Sequence, residues 1–216
     1  PMGQDFVQAG HLGGMGRLAQ QIGKVHALEA RHRRLQQLAI TDDLTGLANG
    51  RYFHHFLSRI TEKARAMRFS VTLLLFDIDN FKKYNDEFGH QVGDEILKQT
   101  AALMKRCCRE HDLVARLSGG GDEFAVVFWE KEGPRQPREP RPPGVPVRPP
   151  QTPAQVFDRF KRLLATQTFQ GLGASGRGAL TISAGLAVFP FDGHDARELI
   201  AAADRCMLSA KRAGKN

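Results

Sequence analysis

The plainest signal along the chain is an uninterrupted apolar run, Val71-Thr72-Leu73-Leu74-Leu75-Phe76, stopped by Asp77. A run this short predicts a buried strand. Downstream, Ile96, Leu97, Ala101, Leu103 and Met104 predict a helix from Gly93 to Arg109. Leu113-Val114-Ala115-Arg116-Leu117 and Phe124-Ala125-Val126-Val127-Phe128-Trp129 flank a Ser-Gly-Gly-Gly-Asp turn, which reads as a hairpin whose glycines supply positive φ. A helix over 156–164, a strand over 180–189 and a helix over 196–213 with a basic end complete the pattern. The order β-α-β-β-α-β-α predicts an α+β sandwich, a mainly antiparallel sheet with its flanking helices on one face, in the split βαβ arrangement.

Two segments stand outside this pattern. Residues 1 to about 14 are Gly-rich and unpatterned, a frayed leader. From Arg17 to Ala39 there is no proline, and Leu18, Gln21, Val25, Leu28, His32, Leu35 and Ala39 share one seam at heptad spacing. With Gln21 and His32 intruding, this is either a signalling stalk that pairs with a second chain or a helix packed on its own domain. Arg135 to Pro153 holds eight prolines, several arginines and no apolar period, and reads as a polyproline-like loop inserted between structured stretches. It is either a proline-motif ligand or a tolerated surface insertion. The organisation is therefore a leader and stalk over 1–39 and a domain over 40–216, with 131–153 as the insert.

Composition narrows the function. The 216 residues, 41% hydrophobic and 25% charged, exclude a disordered, collagen-like or membrane-dominated chain. No stretch approaches about 18 uncharged apolar residues, and the first residues lack a basic region followed by an apolar one, so the chain as given reads as cytoplasmic. Cys107, Cys108 and Cys206 lack CxxC spacing and read as reduced, mostly buried thiols. The net charge of +8 suggests a nucleic-acid partner until it is located: 17–34 carries +4 and 131–148 carries +3, leaving the rest nearly neutral. No aromatic-interleaved basic face is present, so no nucleic-acid partner is expected.

The candidate chemistry lies at strand ends. Asp77-Ile78-Asp79 follows the buried strand directly, and Gly121-Asp122-Glu123 sits in the turn of a hairpin expected beside it. Carboxylates gathered from two strand ends suit magnesium, which takes one or two of them and fills its remaining positions with water and substrate phosphates. Read more simply, Asp77 and Asp79 cap the next turn. Gly119, Gly120 and Gly121 would let backbone amides approach phosphate oxygens.

Taken in order, Thr41-Asp42-Asp43-Leu44-Thr45-Gly46-Leu47-Ala48-Asn49, Asp77-Ile78-Asp79-Asn80-Phe81-Lys82, Asn85-Asp86 with Gly89-His90 and Gly93-Asp94, Gly120-Gly121-Asp122-Glu123-Phe124, and Ala203-Asp204 with Ala210-Lys211, Gly214 and Asn216 resemble the motifs of GGDEF-domain diguanylate cyclases. The resemblance covers Leu38 to Asn216. It implies the fold of nucleotidyl cyclases and polymerase palms, and the condensation of two GTP into cyclic di-GMP with release of two pyrophosphates by a homodimer. By position it implies Asp77, the Ile78 carbonyl and Asp122 as ligands of two magnesium ions, with manganese able to substitute, and Asp122 or Glu123 as proton acceptor. Asn85 and Asp94 resemble the guanine readers, with Lys82 and His90 near the same pocket; Lys211 and Lys215 resemble the γ-phosphate clamps.

Arg109 and Asp112, spaced as RxxD, resemble the family's product-inhibition site, where the arginine grips phosphate or stacks on guanine and the aspartate accepts from guanine. Without that context they read as an exposed ion pair. Three departures from the family pattern stand out. Arg116 is followed by Leu117-Ser118-Gly119 before Gly120-Gly121, where the family has one residue, so the turn is two residues longer. Gly50 replaces the arginine usual after Asn49, with Arg51 one position on, and Lys215 stands where an arginine is usual. The competing expectation is a degenerate module that binds GTP or cyclic di-GMP without turnover.

Overall fold

The computed structural model describes residues 40–117, 121–129, 152–169, 172 and 180–214. The leader and stalk, most of the insert, Ser118, Gly119, Gly120 and Lys215 lie outside the described residues. Residues 41–216 group as one unit.

Among the described residues, five strands form one sheet: β1 (Ala48–Asn49), β2 (Val71–Ile78), β3 (Leu113–Arg116), β4 (Glu123–Trp129) and β5 (Ile182–Phe189), in the spatial order β1-β3-β4-β2-β5. Only β1 and β3 run parallel; the other three pairings are antiparallel. The helices are α1 (Gly50–Met67), α2 (Phe81–Phe88), α3 (His90–Cys107), α4 (Pro153–Thr166) and α5 (Ala196–Arg212). The α+β architecture, the hairpin and the central strand agree with the expectation. Two helices, α1 and α2, come in addition to the elements predicted from the pattern. The α1 signal was present: Phe53, Leu57, Ile60 and Ala64 fall on one face, and Asn49 caps the helix by accepting from the Tyr52 amide. Helix α4 begins at Pro153, inside the segment read as insert, because Thr152 and Gln155 form a capping box with proline in the first turn.

The expectation of helices on one face is corrected. One apolar cluster packs Leu74, Phe76, Ile78, Phe124 and Val126 against α3 and α4; another packs Leu73, Leu75, Ala125 and Val127 against α1 and α5. Alternate residues of β2 thus serve opposite cores. That explains why the strand is a continuous apolar run rather than an alternating one: both its faces are covered. The Phe76 and Phe124 rings stack 5.1 Å apart across the β2–β4 pair, and Phe160 of α4 lies 5.2 Å from Phe76. Each such buried ring contributes about 1.5–3 kcal/mol. Of the three free cysteines only Cys107 is fully buried; Cys206 is exposed, correcting the reading of it as a buried thiol.

Helix α5 approaches β5 closely at Gly185. A Cβ there would lie 2.0 Å from the Ala203 carbonyl oxygen and 2.5 Å from the Met207 nitrogen, both backbone atoms that cannot swing aside. Gly185→Ala is therefore expected to push α5 off the sheet and destabilise the domain by roughly 1–3 kcal/mol. A lowered urea midpoint with an unchanged slope would register this; an unchanged midpoint would refute the close approach.

Candidate active site

The register places three polar residues in one row across the sheet. Asp77 of β2 is opposite Glu123 of β4 on one side and Ser183 of β5 on the other. By the alternation that puts Leu73 and Leu75 against α1 and α5, Asp77 projects to that same face. Lys211, near the C-terminal end of α5, meets it there: its Nζ lies 2.9 Å from Asp77 Oδ2. Burial alone would lower the Lys211 pKa, but the hydrogen bond and charge of Asp77, with Asp122 and Glu123 adding to it, raise it instead.

Asp122 stands just before β4 and is half-buried. Burial and the negative charge of Asp77 push its carboxyl up, while Lys211 works in the opposite direction. The pocket therefore carries more negative charge than it neutralises, with hard oxygen donors, which suits a divalent cation. Among the described residues, no three His, Cys, Asp or Glu side chains are grouped to hold a metal; the predicted set has only two carboxylates and the Ile78 carbonyl. Asp79 belongs to no such set. It is buried, with Oδ1 accepting from the Ser183 hydroxyl at 2.7 Å and Oδ2 from the Thr181 hydroxyl at 2.8 Å, so it locks the end of β2 to β5.

The remaining sequence-derived positions divide between two regions. Helices α2 and α3 meet at Gly89, which has φ of +86°. A Cβ on Gly93 would lie 1.8 Å from Asn85 Oδ1, so the missing side chain is what seats the Asn85 amide against α3 beside Asp94. Lys82, His90 and Asp94 are exposed around this corner. Arg109 and Asp112 lie in the loop between α3 and β3. Asp112 Oδ2 accepts from the Arg109 amide at 2.8 Å, and only 3% of the Asp112 side chain is exposed, so this carboxylate closes its own loop as well as facing a partner. Trp129 fixes that loop by donating from Nε1 to the His111 carbonyl at 2.8 Å. Arg109, Asp112, Phe128, Trp129 and Val156 help line a cavity of about 280 Å³.

Asp42 and Arg116, to which the sequence pattern assigns no role, are joined in the structure. Arg116 is 4% exposed, with Nη1 3.3 Å from both Asp42 carboxylate oxygens and Nε donating to the Gly121 carbonyl at 2.9 Å. Asp42 is held by the Thr45 amide at 2.9 Å and the Thr45 hydroxyl at 2.6 Å. Burial by itself pushes the Asp42 carboxyl up, but the Thr45 hydrogen bonds and the Arg116 charge outweigh it and hold it below its usual range. A lowered carboxylate pKa means stability that is present above the unfolded value and lost as pH falls through the folded one. Asp42→Asn should thus cost roughly 3 kcal/mol at neutral pH, and the loss should shrink under acid conditions where wild-type Asp42 is itself protonated. Urea titrations of both proteins across the acid range give the test, and a pH-independent difference would contradict the assignment.

Comparison with known proteins bears on this site. The family description "Diguanylate cyclase, GGDEF domain" matches residues 39–136 and 146–216. The chain is 32% identical over 211 residues to diguanylate cyclase DgcP of Pseudomonas aeruginosa, covering 93% of this chain and 28% of that protein. It is 33% identical over 182 residues to the response regulator PleD of Caulobacter vibrioides, covering 83% of this chain and 36% of PleD. The chain thus spans about a third of the length of these curated relatives. In fold it resembles the coiled coil and GGDEF domain of DgcB from Caulobacter crescentus, solved in complex with c-di-GMP, with a TM-score of 0.72 at 24% identity over 93% of this chain and 95% of that one. The sheet order, the strand-end carboxylates and these matches together show that the chain belongs to the GGDEF diguanylate cyclase domain family.

Proposed function

We propose that this domain condenses two GTP into cyclic di-GMP as one half of a homodimer. The observation that carries the reading is the strand-end row, where Asp77 is opposite Glu123, Asp122 is pushed toward protonation by burial and by Asp77, and Lys211 reaches in from α5. Each copy holds one GTP. The 3′-oxygen of one nucleotide attacks the α-phosphorus of the other, the bond to pyrophosphate breaks in line, and the reciprocal attack closes the ring.

Asp77, Asp122 and the Ile78 carbonyl would hold two magnesium ions, or manganese in their place, which when bound neutralise triphosphate charge and ease deprotonation of the attacking hydroxyl. Asp122 or Glu123 accepts that proton; burial first, and then the charge of Asp77, raise the Asp122 carboxyl above its ordinary value, which makes it the stronger proton acceptor. Lys211 exchanges Asp77 for the γ-phosphate, with Lys215 as the second clamp. Asn85 and Asp94 read guanine, because a carboxylate at Asp94 accepts from N1–H and the exocyclic amine, a donor pair that adenine lacks. Lys82 and His90 border that pocket. GTP as substrate places the work in the cytoplasm. Among the described residues, no helix is long and apolar enough to cross a membrane.

A second reading, a module that binds GTP or cyclic di-GMP without turnover, is favoured by one feature, the two extra residues between Arg116 and Gly120. Product formation from GTP and magnesium separates the two. In the cyclase reading, Asp77→Asn abolishes product while leaving the circular dichroism spectrum and thermal midpoint close to wild type; near-normal turnover in that variant would remove Asp77 from the metal site.

The RxxD loop is proposed as the site where cyclic di-GMP slows the reaction. It leads directly into β3, which carries the hairpin, and it borders a cavity alongside Trp129. Inhibition requires the product to prefer a non-productive arrangement, not merely to bind. Wild type should bind cyclic di-GMP with micromolar or tighter affinity, roughly −8 kcal/mol, and slow down. Arg109→Ala should lose both effects at an unchanged initial rate, and calorimetry detecting no binding to nucleotide-free wild type would discard the site.

A further inference from the structure

Asp79 takes no part in the reaction proposed above, yet it lies beside the metal ligands of that reading. It is 3% exposed, and both hydroxyls it accepts from, those of Thr181 and Ser183, belong to β5 and its approach. A carboxylate is a costly group to bury merely to join two strands. Its place in the backbone gives a reason. The β2–β4 ladder ends at Asp77–Glu123, the β2–β5 ladder ends at Ile78–Ile182, and Asn80 turns the chain out of the sheet with φ of +58°. Asp79 is thus the residue on which the end of β2 is either held or free to turn.

The bond that matters is the peptide between Ile78 and Asp79. Its N–H donates to the Thr181 carbonyl at 2.9 Å, so it points at the β5 side. In a planar trans peptide the C=O points opposite to the N–H. The Ile78 carbonyl is therefore directed away from β5, to the side on which β4 flanks β2, and past the last β2–β4 pair toward the segment that carries Asp122. A single backbone bond at the end of a ladder opens readily. Here the same residue adds two more: Oδ2 accepts from the Thr181 hydroxyl at 2.8 Å and Oδ1 from the Ser183 hydroxyl at 2.7 Å. Turning the peptide would mean releasing both hydroxyls inside a buried site.

We propose that Asp79 is a positioning residue for the metal site: by gripping Thr181 and Ser183 it fixes the plane of the Ile78–Asp79 peptide and so aims the Ile78 carbonyl. The proposal rests on the reading of Asp77, Asp122 and the Ile78 carbonyl as metal ligands. A side-chain carboxylate can rotate to meet an ion. A backbone carbonyl cannot do so unless its peptide turns, so its direction has to be built into the fold, and β5 supplies it through Asp79.

The test removes the grip while leaving every carboxylate in place: Thr181→Val and Ser183→Ala, made singly in the complete chain, with manganese and a non-hydrolysable GTP analogue as the probe. Paramagnetic resonance of free manganese gives the affinity, and hydrogen exchange, run without manganese, gives the protection of the Asp79 amide. Neither readout needs turnover. Each variant should speed exchange of that amide about tenfold, as for one lost hydrogen bond, and weaken manganese by roughly 10-fold, the size expected when a group that orients a metal ligand is removed. Because Asp79 keeps its carboxylate, the loss would be one of direction rather than of charge. Thr181 is only half-buried, so Thr181→Val decides alone if Ser183→Ala fails to fold. Wild-type manganese affinity in Thr181→Val despite a faster Asp79 amide, or an amide no faster than in wild type, overturns the proposal. If Asp77→Asn keeps wild-type manganese affinity, the metal reading itself falls and the proposal with it, a result read apart from the two hydroxyl variants.

Discussion

A buried guanidinium persists only where its charge and its donors are answered. Arg116 meets that condition at the last residue of β3, with the Asp42 carboxylate before its Nη1 and the Gly121 carbonyl before its Nε. The loop preceding β1 is folded around Asp42 for this purpose: Thr45 donates to the carboxylate twice, and the Asp42 amide and carbonyl bond Leu47 and Gly46. One charge pair thus ties the entry of the domain to the hairpin turn on the far side of β1. Removing Asp42 would leave the buried Arg116 guanidinium without its counter-charge, a cost of roughly 3 kcal/mol.

The sheet supplies the second constraint. Since β2 is covered on both faces, its register cannot slip by a residue without exchanging the two cores. The rings of Phe76 and Phe124 on one face, and Leu73, Leu75, Ala125 and Val127 on the other, hold that register. Asp77 is carried to the sheet end as the next residue in the α5-facing series, and Asp79 secures the same end through two hydroxyls of β5 and its approach. The close contact at Gly185 then brings α5, and with it Lys211, within reach of Asp77. Lys211 and Asp77 are each other's ionic partner in this arrangement; on the proposed reading, loading the site would exchange these partners rather than fill a neutral pocket.

The α2–α3 corner and the RxxD loop are supported differently. The α2–α3 corner depends on absent side chains, Gly89 for the turn between helices and Gly93 for the seat of Asn85. The RxxD loop depends on present ones: Asp112 bonding its own loop and Trp129 bonding the His111 carbonyl. Burial pushes the neighbouring Cys108 thiol up, with the charge of Asp112 adding to it, so this cysteine is a packing group at the foot of the loop rather than a thiolate.

The sequence by itself determined the central strand, the hairpin, three of the helices and the pairing of the hairpin's turn end with the end of β2, because each is signalled by a local period or by a turn whose chemistry is local. The ordered motifs carried the family as well. What only the tertiary structure decided was which side of the sheet each element covers, and which distant residues touch. An uninterrupted apolar strand states that it is buried, but its two cores come from helices whose placement depends on the whole topology, so the pattern alone leaves open which face each helix covers. The Asp42–Arg116 pair, separated by 74 residues, leaves no periodic trace. Likewise a glycine in sequence does not say whether it serves a turn, as Gly89 does, or a close approach, as Gly93 and Gly185 do. That distinction exists only once another part of the chain has been folded against it.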